Sequence, residues 1–215
     1  DVPLTITSSM EHAERVHGAQ EIVSITRDNP RHRYTYADSF ARVRQLANAM
    51  DAWGLSRSDR IATLAWNDYR HFETYYASAC AGYVCHTINP RLFPEQIVYI
   101  INHAEDQYVF LDPDFWPLVE QVADQCTGVK GWVVMTTAEH MPETSLTNVL
   151  CYEALVTAQS DRYEWPAIDE NQACALCYTS GTTGNPKGVR YSHRSTVLHT
   201  VATRMPDSLG ISGSD

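Results

Sequence analysis

Apolar side chains recur along this chain at two alternating periods. Between Phe40 and Trp53 they fall at Phe40, Val43, Leu46, Ala47, Met50 and Trp53, a spacing of three and four that places them on one side of a helix. Thr35 stands where an N-cap belongs, Asp38 supplies the other half of a capping box, and Gly54 ends the run. Further helices are predicted over Ser9 to His17, Tyr69 to Ala81, from Pro94 through Ile97, Ile100, Ile101 and Ala104, Pro113 to Cys126, and Cys151 to Ala158. Short apolar runs between polar or turn residues read as buried strands at Arg60 to Trp66, Tyr83 to Ile88, Tyr108 to Leu111, Trp132 to Thr136 and Ala173 to Tyr178. Thr137 to Asn148 reads as polar loop and Ser160 to Asn171 as a connector. Strands alternating with helices imply an α/β fold, a mostly parallel sheet flanked by helices.

After the last of these strands the pattern changes. Tyr178 to Val189 reads Y-T-S-G-T-T-G-N-P-K-G-V, with three glycines, three threonines, a serine and a lysine in its last eleven residues. Glycines let a backbone approach a ligand closely, and hydroxyls, amides and Lys187 supply donors, the chemistry of a loop that wraps phosphate oxygens. A Walker loop is excluded. Counting from Gly181, its second glycine falls on Pro186, and Gly188 rather than Ser or Thr follows Lys187. Val189 to Tyr191 reads as a short strand and Ser192 as the cap of a helix to about Arg204, so the loop joins two strands. Ser180 lacks the G-x-S-x-G elbow of a hydrolase nucleophile.

Charge sharpens the picture. From Asn171 to Pro206 there is no acid, while Lys187, Arg190, Arg194 and Arg204 are basic; the chain carries −10, leaving −14 for the remainder. Such a reversal around a glycine-rich loop favours a bound anion, and the overall acidity argues against nucleic acid as a partner. No apolar run approaches the ~18 residues of a membrane span, and the first residues lack the pattern of a secretory signal. The six cysteines lie mostly in apolar segments, as small buried thiols of a reducing, cytoplasmic setting would. Cys174 and Cys177, three apart on a strand, point to opposite faces and can neither bridge nor chelate. His86 and His103 are single histidines that read as satisfied side chains rather than ligands, and His193 as one that positions a helix or stays solvated.

The run L-C-Y-T-S-G-T-T-G-N-P-K-G-V from Leu176 resembles the phosphate-loop signature of the adenylate-forming superfamily, which includes acyl-CoA synthetases, luciferases and peptide-synthetase adenylation domains. Gly54 to Ala62 looks like the family's segment before its first core strand, and Asn89 to Asp106 is most similar to medium- and long-chain fatty acyl-CoA synthetases. The resemblance implies the N-terminal part of the adenylate-forming enzyme fold. Residues 1–215 would belong to the large AMP-binding domain, with about 34–170 as a first α/β unit and 171–215 as the phosphate-loop strands and following helix. The remaining half and the C-terminal domain, with the family's other catalytic motifs, would lie outside this chain, leaving its catalytic residues unassigned.

The implied reaction joins a fatty acid to coenzyme A through an acyl-adenylate, with ATP, Mg²⁺ and coenzyme A as cofactors. Thr179, Ser180, Gly181, Thr182, Thr183, Gly184 and Lys187 would hold the ATP phosphates, and Thr179 would also ligate Mg²⁺. A second copy of the chain is an implied partner, because the similar synthetases include homodimers. The alternatives are an aromatic acid–CoA ligase, an amino-acid adenylation domain, or a non-catalytic nucleotide-binding module.

Overall fold

Caps and apolar stripes decide where the helices begin. The structure is a computed structural model that describes residues 2–179 and 185–211. Helix α1 (Ile6–His17) opens with a capping box, Thr5 taking the Ser8 amide and the Ser8 hydroxyl reaching back to the Thr5 amide. That box moves its start ahead of Ser9, where the sequence placed it. Helix α2 (Tyr36–Asp51) starts as expected. Thr35 Oγ1 accepts from the Asp38 amide at 3.2 Å, and the Asp38 carboxylate from the Thr35 amide at 2.9 Å. It stops at Asp51, and Gly54, at φ 67°, reverses the chain.

The core strands are β3 (Arg60–Leu64), β4 (Val84–Thr87), β5 (Asp106–Leu111), β6 (Gly131–Val134), β7 (Val149–Cys151), β8 (Ala173–Thr179) and β9 (Lys187–Ser192). They form one sheet in the order β7-β6-β5-β3-β4-β8-β9. Strands β7 to β8 in that order are mutually parallel, and only β9 is antiparallel, closing one edge. Helices α3 (Tyr69–Cys80), α4 (Pro94–Ala104), α5 (Trp116–Val122), α6 (Tyr152–Thr157) and α7 (His193–Thr203) complete the chain.

Period-two alternation sorts the strand residues between two cores. Ile61, Phe110 and Val133 pack with Met10, Phe40, Leu46, Cys80 and Tyr152 from α1, α2, α3 and α6. Ala62, Val109 and Val134 face the other way, against Ile97 and Ile101 of α4 and Trp116 and Val119 of α5. Among the described residues no helix is long and apolar enough to cross a membrane.

Several sequence expectations change. The helix read over Pro113 to Cys126 is broken into a 3₁₀ turn at Pro113–Phe115, α5, and a second 3₁₀ turn at Ala123–Gln125. Pro117 has no amide to donate to the Pro113 carbonyl, so no continuous α-helix can form there. Cys151 ends β7 rather than starting a helix. Glu21–Ser24 (β1) and His32–Thr35 (β2) form an antiparallel hairpin outside the main sheet, which the sequence did not reveal.

A buried polar network ties this hairpin to the helices. Arg70, 2% exposed, donates to Asp28 at 2.7 and 3.0 Å, to Glu153 at 2.8 Å and to the Met135 carbonyl at 3.0 Å. Arg42 spans Glu73 and Glu153, and the Tyr152 hydroxyl donates to Glu73 at 2.7 Å. Burial pushes the Asp28 carboxyl up, but the Arg70 guanidinium and the Thr26 hydroxyl outweigh it and hold the group at about 2.

Candidate functional site

Small residues build the strand that leads into the site. In β8, Cys174 and Ala175 are buried; Ala175 pairs with Cys85 of β4 on one side and with Tyr191 of β9 on the other. Thr179 ends β8 at the same edge where the parallel strands β3, β4, β5 and β6 end, and α/β sheets place ligands outside that carboxyl edge. The chain returns as β9, whose first residue, Lys187, pairs with Thr179. Lys187 therefore belongs to a strand rather than to the loop itself. Both residues are exposed, and Lys187 makes no salt bridge among the described residues. The two ends of the expected phosphate loop are thus brought side by side, a hydroxyl beside an ammonium. Ser180, Gly181, Thr182, Thr183 and Gly184 lie outside the described residues.

Close approach explains the glycine after Lys187. A Cβ on Gly188 would lie 3.2–3.3 Å from the Tyr178 ring and 3.3 Å from Leu176 Cδ1, so the ring lies across β9 where a side chain would crowd it. The basic window is smaller in space than in sequence. Arg194 pairs with Glu170, just outside it, while Arg190 and Arg204 stay exposed.

Of the readings open to them, the histidines take the structural one. His193 is fully buried, and its Nδ1 accepts the Ile6 amide at 3.2 Å, joining the starts of α1 and α7. Burial lowers its pKa, so it is a neutral structural acceptor and not a solvated side chain. His86 and His103 are hydrogen-bonded side chains, as expected: His86 Nδ1 lies 2.8 Å from Asp106, and His103 Nδ1 2.6 Å from the Tyr178 hydroxyl. Cys174 Sγ donates to the Tyr191 carbonyl and Cys177 meets Thr87 Oγ1 on β4. The register shifts at Cys174, which packs in the same core as its neighbour Ala175, so the strict alternation read from the sequence does not hold there. All six cysteines are free. Among the described residues no group of three or more His, Cys, Asp or Glu is placed to hold a metal ion.

A second concavity, of about 620 Å³, opens farther along the same edge, outside β3, β5 and β6. Trp66, Asp68, Asp112, Trp116, Met135 and Thr136 are among its walls. Burial, with Asp68 and Asp114 nearby, pushes the Asp112 carboxyl up to about 7, although the Trp66 amide donates to it. Nothing in the sequence marked this feature, because its acids come from beyond the ends of β3 and β5 and from the β1–β2 turn.

Comparison with known proteins places the chain. The AMP-binding enzyme family matches residues 10–215, and the chain belongs to it. The chain is 50% identical to a medium-chain-fatty-acid–CoA ligase of Ectopseudomonas oleovorans over 212 residues, which are 99% of this chain and 39% of that protein. It is also 50% identical to a 3-methylmercaptopropionyl-CoA ligase of Ruegeria lacuscaerulensis over 213 residues, 99% of this chain and 40% of that protein. An acyl-CoA synthetase structure from Brucella canis superposes with a TM-score of 0.79 at 18% identity, covering all of this chain and 37% of that one. The chain therefore spans about two fifths of the length of the curated relatives it matches.

Proposed function

We propose that the complete protein carrying this chain is an ATP-dependent fatty acid–CoA ligase. A carboxylate oxygen attacks the α-phosphate of ATP and expels pyrophosphate; the thiol of coenzyme A then attacks the acyl carbon of the adenylate and expels AMP. The observation that carries this reading is the pairing of Thr179 with Lys187 at the carboxyl edge of the sheet, in a chain of the AMP-binding enzyme family. Lys187 would neutralise charge on the transferring and leaving phosphates, and Thr179 would supply a hydroxyl. Ser180, Gly181, Thr182, Thr183 and Gly184 would add donors between them.

Thr179 offers a hard oxygen, which suits Mg²⁺, an ion that keeps several waters and binds largely through substrate phosphates. When bound it would spread the charge developing on the phosphate oxygens. On this reading residues 1–215 form the N-terminal part of the AMP-binding domain, with about 34–170 as its first unit and 171–215 as the phosphate-loop strands and following helix. The reducing cytoplasm suits six free thiols, and a second copy of the chain, rather than nucleic acid, is the expected macromolecular partner.

Two acids compete as substrate, because the chain is equally similar to a medium-chain fatty acid ligase and to a 3-methylmercaptopropionate ligase. ATP–pyrophosphate exchange by the complete protein, across straight-chain acids of increasing length with 3-methylmercaptopropionate, a cinnamate and amino acids alongside, separates them. Each CH₂ buried in an apolar pocket adds ~0.8 kcal/mol, so a fatty-acid enzyme shows selectivity climbing to a medium or long optimum. A peak at the thioether acid selects the second reading; a winning cinnamate or amino acid overturns both. Lys187→Ala, losing a charge-assisted contact of ~1.5–3 kcal/mol, should slow exchange roughly ten- to a hundred-fold with the fold intact. Exchange at the wild-type rate in that variant removes Lys187 from the site.

A further inference from the structure

Beneath the paired Thr179 and Lys187 lies a cluster that the proposed reaction does not use. Tyr178 precedes Thr179 on β8 and pairs with Gly188 on β9. Its ring is tilted against His86 with centroids 5.2 Å apart and stands edge-on to His103 at 5.8 Å and 86°. His86 faces Leu176 in the register of β4 with β8, so Tyr178, two residues on, shares its face of the sheet.

Each neighbour of Tyr178 is itself anchored. His86 is fully buried and reaches Asp106 at 2.8 and 2.9 Å, past β3 at the small Ala62 with which it pairs. Its other nitrogen, Nε2, has no hydrogen-bond partner among the described residues. His103 sits in the last turn of α4 and stacks on Tyr99. Its Nδ1 lies 2.6 Å from the Tyr178 hydroxyl. Burial raises the pKa of that hydroxyl above its ordinary value, so it keeps its proton and donates to Nδ1. On the remaining side the ring abuts Gly188, where a Cβ would crowd it.

We infer that Tyr178 and His103 are positioning residues for nucleotide binding: the Tyr178 ring, held by His103 and seated against Gly188, fixes the pairing of β8 with β9 and so holds Lys187 beside Thr179. The reasons are geometric. A two-stranded end slips or frays unless side chains set its register, and β9 is an edge strand with its outer side unpaired among the described residues. The Tyr178 ring lies one residue from both members of the pair it would align. A tie to α4, a helix on a different segment, gives that alignment a reference outside the hairpin.

The inference rests on the ligase reading, and the test separates the two. In the complete protein, the KM for ATP, the KM for the acid and kcat are measured in pyrophosphate exchange, with melting temperature alongside. Tyr178→Leu, which removes the ring plane, should raise the ATP KM about ten-fold or more, with the acid KM and melting temperature near wild type. Tyr178→Phe and His103→Ala each remove one partner of a single bond and should each raise the ATP KM about three-fold. Their combination should do no more than either alone, since the bond is shared. His103→Asn, which returns an acceptor near the place of Nδ1, should recover the wild-type value.

An unchanged ATP KM in Tyr178→Leu overturns the inference. If that variant does not fold, the Phe and Ala pair decides: multiplying effects, or none, overturn it. A fall in melting temperature and kcat with an unaltered ATP KM marks a purely structural role and overturns it as well. If the wild-type protein exchanges pyrophosphate and the variants match it, only the positioning role falls. If the wild type exchanges with no acid, the ligase reading falls and takes the inference with it.

Discussion

Asp112 shows how a single carboxyl can work against the fold it belongs to. It is 6% exposed at the end of β5, and its pKa is moved from an ordinary 3.8 to about 7, by burial first and by Asp68 and Asp114 in addition. A carboxyl raised in the folded state favours folding while it stays protonated. Its contribution is fully present below ~4 and is lost as pH rises through ~7, with a cost that approaches roughly 4 kcal/mol at about 1.4 kcal/mol per pH unit. Asp112→Asn keeps an oxygen for the Trp66 amide and cannot ionise. The variant should melt close to wild type at about pH 4.5 and well above it at about pH 8. A gap that stays constant across that range would show that Asp112 is not the titrating group. Asp28 runs the other way: held at about 2 by Arg70, it contributes stability above ~4 that is lost as pH falls toward ~2.

At the level of elements, Arg70 on α3 is the joint between the outlying hairpin and the sheet. Removing it leaves Asp28, with 6% of its side chain exposed, without its cationic partner and leaves Glu153 with Arg42 alone as a cation, and breaking a buried pair costs ~3–5 kcal/mol. Arg70→Ala should lower the unfolding free energy by about that much in a urea titration, whereas Arg27→Ala, whose pair with Asp114 is largely exposed, should cost less than ~1 kcal/mol. Similar losses in both would refute the joint. This joint was not legible in the sequence, because Asp28, Arg70 and Glu153 meet only through tertiary packing. Helices α2 and α4 were legible to within a few residues, since their caps and apolar stripes are local. Strands β1 and β2 were hidden: each has four residues, none of them buried, so no apolar alternation marks them. For the candidate site, Thr179 and Lys187 were legible from loop composition, while the Tyr178–His103 contact joins positions 75 apart and carries no local signal.

Across the whole molecule, charge is uneven. A chain of net −10 presents Lys187 and Arg190 along the one strand that closes the sheet, so an approaching polyphosphate meets a repulsive body with an attractive edge. That edge also differs from a strand-to-helix phosphate site in where its helix lies. Helix α7 starts only after the six residues of β9, about 17–20 Å of extended chain away from Lys187. The field of a helix terminus fades within a turn, so α7 lends none of it to the phosphates. On the proposed reading, what this strand would offer the nucleotide is an exposed ammonium rather than a helix terminus. Such attraction is screened over about 10 Å at 0.1 M salt. The dissociation constant for ATP in the complete protein should therefore climb as sodium chloride rises from about 0.05 to about 0.3 M, and Lys187→Ala should flatten the climb. An equally steep climb in that variant would locate the counter-charge elsewhere. On the proposed reading, a nucleotide held in this way would be loosened by the ionic composition of its surroundings alone.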